Sequence, residues 1–500
     1  MWVCGEVLVD LIPQPGSTER VGVIGGGPEN TAIALARLGH QVEFIDGISS
    51  DKWGVAAKKE LDADGVGTKF CKFSDKPTCQ AIVTLDEKGS ASYEFVIDGT
   101  ATFDFQRDWL PDPYKHKPTL LHIGTLVTAI EPGASVLFDW ALEVSELAPV
   151  IFDPNIRPAV IPDRDLYRKQ VEKWIGISSV VKVSEDDIAW LYPDRNDIDV
   201  AKEYDRLKLL IKQNNIDVIV NLGEQRSAPY SMKNSTTARY TVDNNLNCNN
   251  NLLQAIVETN QDIHYIHLGT MGVYGYGTVE DVKIPEGYID VEYQGKNINI
   301  LHPAYPGSIY HLTKTQDALF FQFYAKNWKL KITDLHQGII WGFETPQTKL
   351  HDDLANRFDY DSDYGTVLNR FIIQSAINYP LTVYGSGGQT RAFININDSM
   401  KCVQLALENP PKRGDRVEIF NQMTETHRLT DLVERIKEAN PGTEVCNLEN
   451  PRNELAENDL KVENKKFINL GLNPTYLDKE NIINLINHCK KNEDRVNKEI

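Results

Sequence analysis

Along the first 195 positions, apolar residues fall into short runs separated by stretches of helical periodicity. The runs "WVCGEVLVD", "QVEFIDG", "TLLHIGTL", "PVIFDPN" and "SSVVKVS" are rich in Val and Ile and bounded by Gly, Pro, Asn or Ser, which reads as buried strands. Between them, segments such as "ASVLFDWALEVSELA" repeat apolar residues every three to four positions, as an amphipathic helix does. Alternation of the two predicts an α/β architecture built on a parallel sheet. One stretch departs from it. "PTCQAIVTLDEKGSASYEFVID" alternates on both sides of "DEKG", which predicts an antiparallel hairpin at 78–98 laid over the sheet.

The pattern changes near residue 196. "PDRNDID" is a polar break, and Asn becomes abundant in "DNNLNCNNN". A second alternation follows in "IDVIVNLG", "IHYIHLG", "KITDLHQGIIWG" and "PLTVYG". The reading is two Rossmann-like α/β domains, 1–197 and 198–500. The terminal "KKNEDRVNKEI" reads as a charged helix end or a frayed tail.

Composition excludes several classes. The chain has 500 residues, 41% hydrophobic and 25% charged, with a net charge of −19. Such an acidic surface repels nucleic acid and anionic membranes, so neither is expected as a partner. No apolar run is long enough to span a bilayer, and "MWVCGEVLVD" lacks the basic region and cleavage site of a signal peptide. Seven scattered cysteines without a C-x-x-C read as reduced thiols, with no metal expected. A cytoplasmic location is expected, or a plastid stroma if a transit peptide has been lost. The sequon at Asn234 is then silent.

Two stretches carry candidate chemistry. "VGVIGGGPENTAIALARLGHQVEFID" offers Gly25 and Gly27 but Asn30 where a dinucleotide turn has its third glycine, with Asp46 further on. A dinucleotide turn and a simple tight turn opening a helix both remain open. "YHLTK" sets Tyr310 and Lys314 four apart, on one face of a helix. A lysine ammonium beside a phenol favours phenolate, so Tyr310 is expected to have a lowered pKa and to act as a base. Two exposed helical residues would show the same spacing. Thr270, at a strand end in "HLGTMGVYG", lies forty residues earlier and could hydrogen-bond the same substrate hydroxyl.

In order, "GEVLVDLI", "GGGPENTAIALARLG", "DGISSDKWG", "FDPNIRP" and "VKVSEDD" resemble the PfkB carbohydrate kinases, fructokinases above all. The resemblance implies a partial ribokinase-like domain with a β lid. In it Gly26, Gly27 and Asn30 line a sugar pocket and Asp10 holds a sugar hydroxyl. A carboxylate, a carboxamide and bare backbone suit a free sugar. The G-A-G-D motif, which carries that family's catalytic base and anion hole, occurs nowhere in the chain. ATP and Mg are therefore expected only if this half were active, and phosphoryl transfer is not expected.

"GEQRSAPYSM", "HLGTMGVYG", "EGYIDV", "SIYHLTKTQDALFFQFYAK", "TDLHQGIIWG", "PLTVYGSGGQTRAFININD" and "FNQMTE" resemble the extended short-chain dehydrogenase/reductases, and most closely the UDP-sulfoquinovose synthases of sulfolipid biosynthesis. The resemblance implies NAD as cofactor, with UDP-glucose and sulfite as substrates. Residue by residue it implies Tyr310 as base, Thr270 as its partner, Lys314 tuning the phenol and His311 as proton shuttle. A packed helix histidine is the other reading of His311. Asn244, Thr270, Tyr310, Lys314 and Gln337 would contact NAD, and Arg226, Arg370, Arg391 and Arg452 the substrate. The family's opening G-x-G-x-x-G strand, turn and helix are not found ahead of "IDVIVNLG", which predicts weakened NAD binding. Val273 replaces a Glu common in the family.

These resemblances leave four readings: a synthase-like nucleotide-sugar enzyme with an appended domain; a PfkB-type fructose kinase; a non-catalytic sugar- or nucleotide-sugar-binding protein; or the product of a gene fusion or faulty gene model. Both families pair chains, so a homo-oligomer is expected by analogy.

Overall fold

A computed structural model describes the chain apart from residues 15–19, 86–90, 185–186, 188–189, 193–203, 205–206, 210, 213–215, 276–282, 357, 450–456, 459 and 497–500. The chain divides into two compact units, residues 1–197 with 346–354, and residues 198–345 with 355–500. Both are α/β units with parallel sheets, as the alternation predicts.

In the first unit a five-stranded parallel sheet runs in the order Val180–Val181, Val150–Asp153, Leu121–Gly124, Trp2–Cys4 and Glu43–Ile45. Parallel neighbours need crossover connections, and the helices Gly133–Ser145 and Arg164–Ile175 supply two of them. Their apolar faces bury Trp140 and Trp174, and Trp140 stacks on Trp2 with ring centres 5.7 Å apart.

The run read as a single strand, "WVCGEVLVD", is two. Gly5 to Val7 separates Trp2–Cys4 in the parallel sheet from Leu8–Pro13 in a second sheet. That second sheet has the order Arg20–Gly25, Leu8–Pro13, Cys79–Leu85, Ala91–Val96. It contains the expected antiparallel hairpin, whose turn at "DEKG" lies outside the described residues. The strand leading into the glycines therefore belongs to the small sheet and pairs antiparallel with Leu8–Pro13. A dinucleotide turn would instead close a strand of the parallel sheet. Asp46 is fully buried, and its carboxylate accepts from the amides of Val7 and Gly47 at 2.8 and 2.7 Å. It secures the chain where the two sheets separate.

In the second unit four parallel strands lie in the order Val218–Asn221, His264–Thr270, Lys331–Gln337 and Glu418–Gln422. The helix Ser235–Thr259 links the first pair, and the helix Ile309–Trp328 precedes the third strand. Asn234 caps the first of these helices, accepting from the amides of Thr236 and Thr237 at 2.9 and 3.0 Å, so the sequon asparagine starts a helix. The apolar run "KITDLHQGIIWG" breaks at Gly338. Lys331–Gln337 stays in the main sheet, and Ile339–Trp341 pairs with Thr390–Asn395 in a separate three-stranded sheet. A side chain at Gly338 would press on the Ala392 carbonyl at 2.9 Å, so glycine lets the chain cross between sheets. No helix among the described residues is long and apolar enough to cross a membrane. All seven cysteines are free thiols.

Candidate active site

The C-terminal ends of the second unit's strands open into a cavity of about 620 Å³. Thr270 and Gln337 are in register at the ends of adjacent strands. Tyr310 and His311 enter from the first turn of the helix Ile309–Trp328, capped by Ser308, whose hydroxyl accepts from the His311 amide at 3.1 Å. The Tyr310 amide donates to Ser231 Oγ at 3.1 Å, which ties this turn to the "GEQRSAPYSM" segment. The structure thus brings Thr270, Tyr310, His311 and Gln337 around one space.

Three arginines share that space. Arg226 is 65% exposed at the side chain, pairs with Asp359 at 3.0 Å and lies over the Tyr364 ring. The Arg370 guanidinium stacks over Tyr384 at 4.4 Å and donates to the Thr382 carbonyl. Arg391 is buried and donates to the Thr390 carbonyl at 3.0 Å. Planar guanidiniums of this kind match the oxygens of a diphosphate or sulfonate. Arg452 lies outside the described residues. Asn244 does not line the cavity; its amide donates to the Gly223 carbonyl and to Asn245. Gln337 lines it, but its amide is also engaged by Ser399 and Gln422.

Lys314 corrects one expectation. Its ammonium lies 2.6 Å from Glu224 Oε2, 2.7 Å from the Leu268 carbonyl and 3.1 Å from His267 Nε2. The Tyr310 ring centre is 5.9 Å away. Burial raises the Tyr310 pKa; Lys314 opposes this but Glu224 adds to the rise, and the net shift is upward, not downward. Desolvation and the charge of Glu224 outweigh the neighbouring cation.

Behind Lys314 runs a chain of buried charges that motif reading does not reveal. His267 joins Glu224 Oε1 and Asp334 Oδ1, each at 2.8 Å, and Asp334 Oδ2 lies 3.0 Å from His336 Nε2. His336 Nδ1 meets the Tyr274 hydroxyl at 2.7 Å. Burial and Lys314 pull the His267 pKa down, but Glu224 and Asp334 prevail and raise it to about 9. Burial likewise favours a neutral Glu224, yet His267 and Lys314 bring its pKa below the ordinary carboxylate value. Asp317 goes the other way, raised first by burial and then by Glu224. Glu224, His267 and Asp317 place ligand atoms within 4.8 Å of one another, in the manner of a metal site. The Lys314 ammonium already lies against two of the three and supplies the cluster's cation. The members of the charge chain lie within the quoted "GEQRSAP", "HLGTMGVYG" and "TDLHQGIIWG", but nothing in those motifs shows that they pair.

In the first unit a cavity of about 270 Å³ is lined by Asp10, Gly26, Gly27 and Asn30. Glu6, Thr125, Asn155 and Arg157 join them, of which Asn155 and Arg157 fall in the quoted "FDPNIRP". Burial raises the Asp10 pKa, and Arg157 partly offsets the rise.

A Thr at the end of a parallel strand, a Tyr on the adjoining helix and three arginines thus border one cavity. The family model for the NAD dependent epimerase/dehydratase family matches residues 166–421, and the chain belongs to that family. Among its relatives are the chloroplastic UDP-sulfoquinovose synthase of Spinacia oleracea, 40% identical over 284 residues, and the UDP-sulfoquinovose synthase of Sulfolobus acidocaldarius, 38% identical over 276. These matches cover 56% and 54% of this chain, and 58% and 69% of the relatives. Residues 2–243 match the model for the pfkB family carbohydrate kinases. There the fructokinase of Vibrio alginolyticus is 31% identical over 203 residues, covering 38% of this chain and 62% of its own length. The chain thus spans under two thirds of the spinach synthase and of this fructokinase.

Proposed function

We propose that the second unit carries out UDP-sulfoquinovose synthase chemistry, converting UDP-glucose and sulfite to UDP-sulfoquinovose. The observation that carries this reading is the shared cavity: Thr270 and Tyr310 face the same space as Arg226, Arg370 and Arg391. Tyr310 takes the proton of the sugar C4 hydroxyl, and Thr270 hydrogen-bonds the same oxygen. The arginines hold the diphosphate and, at C6, the incoming sulfite. His311, buried beside Tyr310, moves the proton between C5 and the departing C6 water.

The donor set fits the nicotinamide end of NAD, since Thr270, Tyr310 and Gln337 stand together at the strand ends. NAD, when bound, supplies a hydride acceptor at C4 that is regenerated within each turnover. The pyrophosphate end is less well provided. No glycine occurs between Gly176 and Gly223, so no glycine turn leads into the strand Val218–Asn221. NAD binding weaker than in the full-length relatives is part of this proposal.

The first unit is proposed to bind a free sugar at Asp10, Gly26, Gly27 and Asn30 without phosphorylating it, because the chain lacks G-A-G-D. The test of the main reading is UDP-glucose turnover with sulfite and excess NAD, followed by mass spectrometry of the nucleotide sugar, in the wild type and Tyr310→Phe. A product in the wild type that falls at least about a hundredfold in the variant, with an unchanged circular-dichroism melt, supports it. Binding of UDP-glucose without any product would favour the non-catalytic reading instead.

A further inference from the structure

Glu224 has no part in the proposed proton transfers, yet it makes the shortest contact in the buried charge chain to a residue of the Y-x-x-x-K pair. Its side chain is fixed from several directions. Oε2 takes Lys314, while Oε1 meets His267 at 2.8 Å and accepts from Asn249 Nδ2 at 2.9 Å. His267 is held in turn by Asp334. The carboxylate therefore cannot swing away without breaking a network drawn from two strands and two helices.

An ammonium has three N–H groups. The Lys314 ammonium donates to the Leu268 carbonyl at 2.7 Å and forms an ion pair with Glu224 Oε2 at 2.6 Å; His267 Nε2, 3.1 Å away, carries its own proton and only adjoins it. None of them is the Tyr310 phenol. The carboxylate at 2.6 Å is the closer charge to the ammonium, while Lys314 still acts on the phenol, whose ring centre is 5.9 Å away. We propose that Glu224 is a positioning residue that withholds the Lys314 ammonium from Tyr310 and so sets how readily Tyr310 ionises. The proposal rests on reading Tyr310 as the base. It adds that the strength of this base is governed by a carboxylate in "GEQRSAP" acting through the lysine.

The other groups facing the pair are few. The helix of Tyr310 contributes His311 and Asp317, and Asp317 lies 3.9 Å from His267 Nε2. The strand His264–Thr270 contributes His267 and Thr270. The strand Lys331–Gln337 contributes Asp334 and His336, both behind His267. Glu224 is the carboxylate of this group in direct contact with the ammonium.

The experiment is an alkaline ultraviolet difference titration of phenolate on the full chain, with the Tyr310→Phe titration subtracted to isolate Tyr310. Glu224→Gln should lower the Tyr310 midpoint by about one pH unit, the lower end of the effect of an adjacent charge. Glu224→Asp, which draws the carboxylate back by one methylene, should lower it by less. It also serves as the second arm if the glutamine variant loses its circular-dichroism melt. In a Lys314→Met background, Glu224→Gln should no longer lower the midpoint by that amount. An unmoved midpoint in both single variants overturns the proposal. So does an equal shift with and without Lys314, which would mean that Glu224 acts on the phenol directly. The readout needs neither NAD nor UDP-glucose. A shifting phenol without turnover defeats the proposed function alone; turnover with an unmoved phenol defeats the positioning role alone.

Discussion

Lys314 Nζ lies 2.6 Å from Glu224 Oε2, and the centre of the Tyr310 ring is more than twice as far away. The two motif residues share a helix face, as residues four apart must. Their side chains nevertheless serve different partners. Tyr310 sits at the cavity wall as a weak acid, with a pKa above the ordinary tyrosine value of about 10.

A base works only when deprotonated. With the Tyr310 pKa raised, the fraction of phenolate increases tenfold per pH unit throughout the neutral range. The kcat/KM for UDP-glucose should therefore climb from pH 7 to pH 9 without a plateau, measured at saturating NAD and constant ionic strength. A plateau beginning near pH 7 would mean that a group other than the free protein's Tyr310 limits the rate.

His267 gives a pH dependence of stability. Its pKa is raised from 6.5 to about 9, so the folded state holds a proton that the unfolded chain gives up earlier. The resulting stabilisation is complete below the unfolded value and is lost as pH rises through about 9. At about 1.4 kcal/mol per unit this amounts to a few kcal/mol. Denaturant melts of the wild type should weaken between pH 6.5 and 9, whereas those of His267→Gln should be less stable at pH 6.5 and flatter across the range. Parallel curves for the two proteins would show that His267 is not the titrating group.

Much of the architecture is legible in the sequence, because a β-strand and an amphipathic helix each leave a local period. The alternation of Val- and Ile-rich runs with helical stretches marks both α/β units. Tyr310 and Thr270 are legible because each sits in a short contiguous motif. Local patterns fail where a run serves two sheets. Nothing in "WVCGEVLVD" or "KITDLHQGIIWG" distinguishes a continuous strand from one that leaves its sheet at Gly5 or Gly338. The charge chain fails for another reason. His267 and Asp334 are 67 positions apart, on strands whose pairing register is a tertiary property, and they meet only once the sheet has formed. The direction of the Tyr310 pKa depends on that assembly, so a reading from the Y-x-x-x-K spacing alone gives the opposite sign.

Gly272 lies against the ring of His311, where an added Cβ would overlap it. Room could come only from moving His311 or the short turn Met271–Tyr274, both of which adjoin Thr270 and Tyr310. Gly272→Ala should destabilise the protein by about 1–3 kcal/mol, the usual range for overpacking. It should also lower kcat more than UDP-glucose binding, because the arginines are untouched. Denaturant melts and calorimetry with UDP-glucose check the two parts; normal stability would mean that His311 moves aside freely.

The last prediction concerns the cofactor. A dinucleotide's pyrophosphate is ordinarily held by backbone amides of a glycine turn at a helix N-terminus. In the first unit the glycines at 25–27 follow an antiparallel strand of the small sheet and line a separate cavity with Asp10 and Asn30. In the second unit the strand Val218–Asn221 is preceded by a glycine-free stretch reaching back to Gly176. The nicotinamide end keeps Thr270, Tyr310 and Gln337, but Lys314 is committed to Glu224 and Asn244 to Gly223. Each charge-assisted hydrogen bond lost from the diphosphate removes roughly 1.5–3 kcal/mol. Two such losses weaken binding by at least about a hundredfold, at about 1.4 kcal/mol per factor of ten. Calorimetric titration should therefore give an NAD affinity at least about a hundredfold below that of the spinach relative measured alongside, while UDP-glucose affinity, resting on Arg226, Arg370 and Arg391, should differ by less. Placing a complete G-x-G-x-x-G strand, turn and helix ahead of residue 203 should recover NAD binding and with it activity. Purified protein that already carries tightly held NAD would refute the prediction outright.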